Sequence, residues 1–277
     1  MVCTTIDSVL STASTPVDII LVDNCSTDGS DLEIERRFPA VTVIRNQTNL
    51  GFAAGTNVGI RRALKNGADC VLLLNNDAVL DHSAVQVMCS ALQVDPTRGV
   101  VVPKIYAQAS AQEDRLWAAG ANWHPFPPRV KMRGFNESDT GQYDEAGTVE
   151  YATACALLVG RETFESAGLL DESYFMYQED YAFCDRVRAC GLSLWYEPRA
   201  VVYHRVSAST GEGSPKKWRY WSEGIGRFYV QHYGSRSRAM VPLTTFLLWV
   251  IMRELAKGRF DWIQPFWQGI RASLTGL

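Results

Sequence analysis

Between residues 17 and 103, short runs rich in β-branched residues alternate with segments of helical periodicity, and this alternation limits the fold more than any other feature of the chain. Strand, helix and strand in that order make crossover units, which build a parallel sheet covered by helices. The strands are VDIILV (17–22), VTVIR (41–45), CVLLL (70–74) and GVVVP (99–103), with helices expected around 30–37, 53–66 and 82–93. Gly67 stands just past the last turn of the middle helix, where a residue free to adopt a left-handed conformation ends it. Residues 104–150 lose the rhythm and gather Gly, Pro and polar residues around HPFPPR (124–129), which predicts irregular loops and short strands over one face, the place for a variable pocket. From Tyr151 order returns: an apolar run (152–159), a short helix near 161–167, a helix from about 180 to 190 ended by Gly191, and strands near 192–196 and 200–203. The fold class is therefore α/β, a Rossmann-like, mostly parallel sheet flanked by helices, with a C-terminal helical extension. At 277 residues and 47% hydrophobic content the chain can bury a real core in one large or two small domains.

The charge is unevenly spread. Residues 1–204 carry 16 Lys+Arg against 26 Asp+Glu, a balance of −10, whereas residues 205–277 carry 11 against 4, a balance of +7. An acidic body argues against a nucleic-acid partner. A basic tail rich in Trp and Phe (Trp249, Phe260, Trp262, Phe266, Trp267) suits an anionic membrane surface, through basic residues such as Arg253, Lys257, Arg259 and Arg271, or else caps the body. Ala239 to Met252, a long uncharged and mostly apolar stretch, falls short of the ~20 residues of a spanning helix, so the chain is expected not to cross a membrane by itself. No signal-peptide pattern is visible. The seven cysteines are odd in number and form no C-x-x-C pair, which reads as a reducing interior with thiols used as small apolar groups.

In an open parallel sheet ligands collect beyond the carboxyl ends of the strands, so polar residues directly after apolar runs are the first candidates. VDIILVDNCSTDGS (17–30) ends in Asp23-Asn24 and a turn holding Ser26 and Asp28; an acid there can accept hydrogen bonds from a base or ribose, or only make the turn and cap the next helix. CVLLLNNDAVL (70–80) stops at Asn75-Asn76-Asp77, where a carboxylate can hold a hard divalent cation completed by phosphate oxygens and water, or cap a turn. FMYQEDYAFCDRVRACG (175–191) sets Glu179 and Asp180 at the start of a helix, as cap and dipole partner or as a general base. His204 follows the strand AVVY (200–203), either as a structural histidine or as a group at the same phosphate edge.

Taken together, VDNCSTDGS (22–30), NLGFAAGTNVGI (49–60), LLLNNDAVL (72–80), residues 151–186 and WYEPRAVVYH (195–204) closely resemble family 2 glycosyltransferases of the GT-A fold, most of all bacterial rhamnosyltransferases of cell-wall and O-antigen assembly. The resemblance spans about residues 3–235. It implies an inverting transfer of a sugar, rhamnose by likeness, from a nucleotide-diphosphate donor to a hydroxyl of a glycan or lipid-linked acceptor, with Mg2+ or Mn2+ as cofactor, in the cytoplasm at the inner face of the membrane. Asp23 would read the nucleotide base, with Asn24, Ser26, Asp28, Gly51, Asn57 and Asn75 completing the donor site. Asn75-x-Asp77 stands where the metal-binding D-x-D motif lies, and His204 would reach the metal or pyrophosphate. Asp180 would be the catalytic base, with Glu179, Thr153 and Trp117 positioning the acceptor, and the loop from Ser207 to Lys217 would close over the donor. The implied division is a transferase domain over 1–235, with a nucleotide-binding region over 1–103 and an acceptor region over 104–235, followed by an amphipathic helical tail over 236–277.

Three features depart from the family pattern. Where relatives often read E-D-x-D-L, this chain has Glu179-Asp180-Tyr181-Ala182-Phe183, without the second acid. An Arg-Asn pair usual in the following helix is replaced near Glu223-Gly224. Relatives open on an apolar strand and a Tyr-Asn loop, whereas Met1-Val2-Cys3 already reads as the first helix, so VDIILV is expected to leave one sheet edge unpaired and some of the nucleotide pocket missing. Two other readings stay open: a degenerate, non-catalytic member that binds a nucleotide or a partner, and a sugar-1-phosphate nucleotidyltransferase.

Overall fold

The computed structural model describes residues 1–12, 17–107, 115–205, 214–258 and 260–275. Residues 207–213 of the expected closing loop, and Arg259 of the tail, lie outside the described residues. The first half runs α1 (Val2–Thr12), β1 (Ile20–Asp23), α2 (Ser30–Arg37), β2 (Thr42–Arg45), α3 (Gly51–Lys65), β3 (Cys70–Leu74), β4 (Ala78–Leu80), α4 (Ala84–Gln93) and β5 (Arg98–Ala107). Then come β6 (Leu116–Ala118), β7 (Ala121–Pro125), β8 (Pro128–Met132), β9 (Gly147–Val149), β10 (Ala156–Gly160), α5 (Arg161–Ala167), α6 (Glu179–Ala189) and β11 (Ser193–His204). Three helices close the chain: α7 (Pro215–Tyr233), α8 (Arg236–Ala256) and α9 (Ile263–Thr275).

The crossover β1–α2–β2 is present as expected, whereas β2 and β3 fall in separate sheets. β1 and β2 pair in parallel, and so do β5 and β11, the longest strands. β10 inserts antiparallel between β3 and β5, and β4 runs antiparallel along the end of β11, so the seven-stranded sheet is mixed, in the order β3-β10-β5-β11-β4 with β6 and β9 alongside. Among the described residues β1 pairs only with β2 and β3 only with β10, so no ladder joins the two sheets. The strands read near 192–196 and 200–203 are one strand, β11, whose register shifts between Glu197 and Val201. The irregular region around HPFPPR is a hairpin, β7–β8, that keeps its register from Ala121↔Met132 to Pro125↔Pro128. The segment 134–146 is anchored to β5 by Lys104, which is buried and donates to Asp139 (2.9 Å) and to Asp144. A buried ammonium is tolerable only with such partners.

One apolar core passes from Leu73, Val100 and Leu157 in the sheet through Phe183 on α6 and Phe228 on α7 to Leu243, Phe246 and Val250 on α8, Trp262 in the turn before α9 and Phe266 on α9. Each such side chain is worth roughly 1.5–3 kcal/mol when fully buried, which decides that α8 and α9 are packed on the body and do not trail from it. α8 also corrects an expectation about length: it extends the uncharged stretch to a 21-residue helix whose most apolar 18 residues have a mean hydropathy of 1.5, long and apolar enough to cross a membrane by length and composition. The added turns carry Arg236, Arg238, Arg253 and Glu254, charges that helix geometry holds at its two ends.

Candidate functional site

Asp77 sits in the turn between β3 and β4, and the antiparallel pairing Ala78↔His204 brings the end of β11 beside it. Arg205 donates its backbone N–H to the Asp77 carbonyl (2.9 Å), which fixes the two segments. Both side chains are buried, at 7% and 6% exposure, and Asp77 Oδ1 lies 3.1 Å from His204 Nε2. That approach is not a hydrogen bond: Asp77 Oδ1 and His204 Nδ1 are both without a hydrogen-bond partner. Buried polar atoms left this way are costly unless a ligand meets them. Trp117 stands edge-on to the His204 ring, with centroids 4.6 Å apart. From the other side α1 holds the turn, Thr5 donating to the Asn76 carbonyl (3.0 Å) and the Leu80 N–H donating to Ser8 Oγ (3.2 Å).

Asp77 and His204 fit a divalent cation in chemistry, one hard carboxylate and one imidazole with unsatisfied atoms, but two groups do not fill a coordination sphere. No cluster of three or more His, Cys, Asp or Glu side chains suited to a metal occurs among the described residues. A cation held here needs oxygen ligands from outside the protein, such as the phosphates of a bound nucleotide.

Asp180 opens α6 and is oriented by backbone. Its carboxylate accepts from the N–H of Ala154 (3.2 Å) and of Tyr181 (2.9 Å), with Thr153 adding a side-chain hydrogen bond. Burial outweighs these bonds and pushes the Asp180 carboxyl up to about 6. Glu179 beside it is buried, has Oε2 without a partner, and is pushed well above the usual carboxylate range by burial and then by the Asp180 charge. Burial thus raises both carboxyls of this adjacent pair, and the charge on Asp180 adds to the rise at Glu179.

The segment Thr153–Cys155 joins the two halves of the site. Ala154 binds Asp180, the Cys155 carbonyl accepts from the Asn75 N–H (2.9 Å), and the buried Cys155 thiol is raised first by burial and then by the charges of both Asp77 and Asp180. Asp77, grouped with His204 and Trp117, and Asp180, next to Glu179, thus both lie near enough to this segment for their charges to act on Cys155.

A chain of contacts presets the approach to α6. Asn57, fully buried on α3, donates to the Leu170 carbonyl (2.8 Å) and Glu172 (2.9 Å) and accepts from the Leu170 N–H (3.1 Å), so its amide braces this segment and is not turned to an open donor site. Gly51 has φ +83°, and a Cβ there would fall 2.4 Å from the Phe175 carbonyl oxygen, so glycine is needed where α3 begins. Tyr177 and Gln178, at φ 75° and 72°, are both left-handed just before Glu179, a sparsely populated conformation for residues with side chains. α7 meets them at Gly224, where a Cβ would lie 2.4 Å from the Tyr177 carbonyl oxygen. Gly224→Ala is therefore expected to shift this turn and destabilise the fold by roughly 1–3 kcal/mol, the usual cost of overpacking, as a lowered midpoint in urea; an unchanged midpoint would show that α7 yields freely. A shallow surface depression between this segment and α7 is lined by Tyr174, Phe175, Tyr220, Glu223 and Arg227.

The β1 end is arranged for its own turn. Asp23 accepts the Ser26 N–H (3.1 Å), and Asp28, exposed, accepts the Ser30 N–H (3.0 Å); the Ser30 side chain first and this N–H second hold its carboxyl below the usual range. Asn24 ties this strand end to the start of α3, donating to the Gly51 carbonyl (2.8 Å) and accepting from Asn46 (3.1 Å) and the Leu50 N–H (3.1 Å). Ser26 is exposed beside them.

One network went unread in the sequence. Asp185 on α6 accepts from Tyr151 (2.8 Å) and Arg188 (2.6 Å) and lies 2.7 Å from His232 Nδ1 on α7, while Trp123 of the hairpin stacks on His232 with centroids 4.4 Å apart. It locks α6, α7 and the β7–β8 hairpin together. The residues are scattered from Trp123 to His232 and carry no common motif.

Residues 1–148 match the family model of glycosyl transferase family 2. The chain is 29% identical over 213 residues to an N-acetylglucosaminyl-diphospho-decaprenol L-rhamnosyltransferase of Mycobacterium tuberculosis, covering 71% of this chain and 69% of that protein. It is 23% identical over 270 residues to the low-salt glycan biosynthesis hexosyltransferase Agl10 of Haloferax volcanii, covering 94% and 83%. Among solved structures, GalNAc-T7 with UDP, GalNAc and Mn2+ superposes with a TM-score of 0.60 at 18% identity over 84% of this chain, which spans about half (48%) of that protein. The mannosyltransferase PcManGT from Pyrobaculum calidifontis, in complex with GDP-Man and Mn2+, gives 0.59 at 14% identity, covering 99% and 82%. At these identities the structural likeness is one of fold, and the fold is GT-A.

Proposed function

The chain belongs to glycosyl transferase family 2, and on that premise we propose that it is an inverting, metal-dependent enzyme that moves a sugar, rhamnose as the sugar of choice, from a nucleotide-diphosphate donor to a hydroxyl of a lipid-linked glycan at the inner face of the membrane. One observation carries the reading: a two-donor, unsatisfied Asp77/His204 pair and an Asp180 carboxyl raised to about 6 both lie near a single segment, Thr153–Cys155. In an inverting displacement the acceptor hydroxyl attacks the anomeric carbon opposite the departing diphosphate, so the chemistry needs a base on one side and charge neutralisation on the other. Asp180 takes the hydroxyl proton. Asp77 and His204 would hold Mg2+ or Mn2+, which would supply positive charge to offset that of the leaving diphosphate. Glu179 and Thr153 position Asp180 and its acceptor, Trp117 shields His204, and the turns bearing Asp23, Asn24, Ser26, Asp28 and Asn75 receive the nucleotide. The lipid-linked acceptor and rhamnose follow the decaprenol-linked rhamnosyl transfer in the name of the mycobacterial relative.

Incubation with nucleotide sugars, Mn2+ and a polyprenyl-diphosphate-linked sugar tests this. Acceptor-dependent release of nucleoside diphosphate is the expected result. Binding of the nucleotide without turnover points instead to a non-catalytic binder, and a thermal midpoint indifferent to every nucleoside diphosphate with either metal overturns the reading.

A further inference from the structure

α8 is apolar on two opposite faces. Ala239, Leu243, Phe246 and Val250 turn inward and are buried in the main core, where α8 packs on α7 and β8. On the far side Val241, Leu248, Met252 and Leu255 recur at helical spacing and stand 75%, 55%, 71% and 42% exposed, with Met240 beside them and Phe260 exposed just beyond the helix. A surface helix of a water-soluble body carries polar residues on that side, whereas here only Thr244 and Thr245 interrupt the apolar stripe, and such a stripe marks a contact surface.

Two observations point to lipid as what covers it. The first is charge: the stripe belongs to the C-terminal region of the chain that carries +7, on a body that carries −10. Arg236 and Arg238 lie exposed in the first turn of α8, the end where the macrodipole disfavours cations, and an anionic surface reverses that balance. The second is the inward face. Crossing a membrane would strip Phe246 and Val250 from the core and take Glu254, 1% exposed and paired with Arg253 and Lys257, into hydrocarbon. A helix so tied to its body can meet a bilayer only along its length.

We infer that the outward stripe of α8 docks in the interface of an anionic phospholipid bilayer, the helix lying in the plane with Val241, Leu248, Met252 and Leu255 below the headgroups and Arg236 and Arg238 among the phosphates. This deepens the proposed function and rests on its lipid-linked acceptor, whose sugar is reached from the surface where such a helix lies.

The full chain is tested by co-sedimentation with vesicles of phosphatidylcholine alone or mixed with phosphatidylglycerol. Binding is expected only with the anionic lipid, to weaken as salt shortens the Debye length, and to fall at least about tenfold in the double variant Leu248→Glu, Met252→Glu. Both positions are exposed, so the thermal midpoint and Mn2+-dependent nucleoside diphosphate binding should not change. Wild-type binding indifferent to anionic lipid, or equal in the variant, overturns the inference. So does a dimer in solution that the double substitution dissociates, because the stripe then belongs to a second copy. Vesicle binding in the expected pattern without nucleotide binding upholds the docking and overturns the transferase reading, and the reverse pattern overturns the docking alone.

Discussion

Asp180→Asn is expected to lower the rate of transfer by roughly 10²–10⁴-fold, the usual worth of a positioned base, while leaving nucleoside diphosphate affinity nearly unchanged. The amide keeps the carbonyl oxygen that can accept from Ala154 and Tyr181, and with it the start of α6, but it cannot take a proton. The same carboxyl predicts the pH profile. Because burial raises Asp180 to about 6, kcat/KM of the wild type should climb as pH rises through about 6 and then level off. Stability should run the other way. A carboxyl whose folded value lies above its unfolded value of 3.8 contributes stability that is full below the unfolded value and is lost as pH rises through about 6, so the ionised wild type bears a strain at pH 7 that the amide does not. The variant should therefore melt higher than the wild type at neutral pH while being inactive. Product formation retained within a few-fold, or a wild-type profile flat between pH 5 and 7, would sink the assignment of Asp180 as base.

The regions of the fold visible in the sequence are those set by local pattern. The helices at 30–37 and 161–167 match α2 and α5 in full, and CVLLL is β3 to the residue, because apolar period and chain punctuation agree there. β4, three residues long directly after a turn, has no period to read, and β11 seemed two strands because Pro198 and Arg199 interrupt its pattern at the register shift. The site divides in the same way. Asp77 and Asp180 were legible as acids that follow or precede regular elements. What relates them was not, since the uncharged stretch Thr153-Ala154-Cys155 looks like any apolar run and acquires meaning only when its backbone binds both Asn75 and Asp180. Asn57 shows the converse error source: an amide that braces a neighbouring segment and an amide that meets a ligand are the same letter, and only burial and its three bonds tell them apart. The tail was read by net charge, but the outward stripe of α8 emerges only once the inward one is known, because a helix apolar on both faces shows little amphipathic period.

Asp77→Ala should give the opposite profile to Asp180→Asn: donor affinity that depends on metal is lost, by at least about tenfold, and transfer falls with it. The argument is one of donor count. With Asp77 and His204 as the two protein groups, removing the carboxylate leaves a single neutral imidazole, and a hard dication held through oxygen loses its anionic anchor. The fold itself should tolerate the change well, since Asp77 Oδ1 has no hydrogen bond to lose and the turn is kept by the backbone bonds of Asp77 and Ala78 and by Thr5 and Ser8 of α1. Stability and binding therefore separate. Calorimetric titration with nucleoside diphosphate should show Mn2+ strengthening binding to the wild type and doing nothing for the variant, and a chelator should bring the wild type down to the variant's affinity. His204→Ala should weaken the same metal-dependent component of the binding to a smaller extent, because an imidazole adds a ligand without adding charge. If Mn2+ strengthens binding equally in the wild type and in Asp77→Ala, the cation is held elsewhere and the Asp77/His204 pair is a structural contact of the β4–β11 edge.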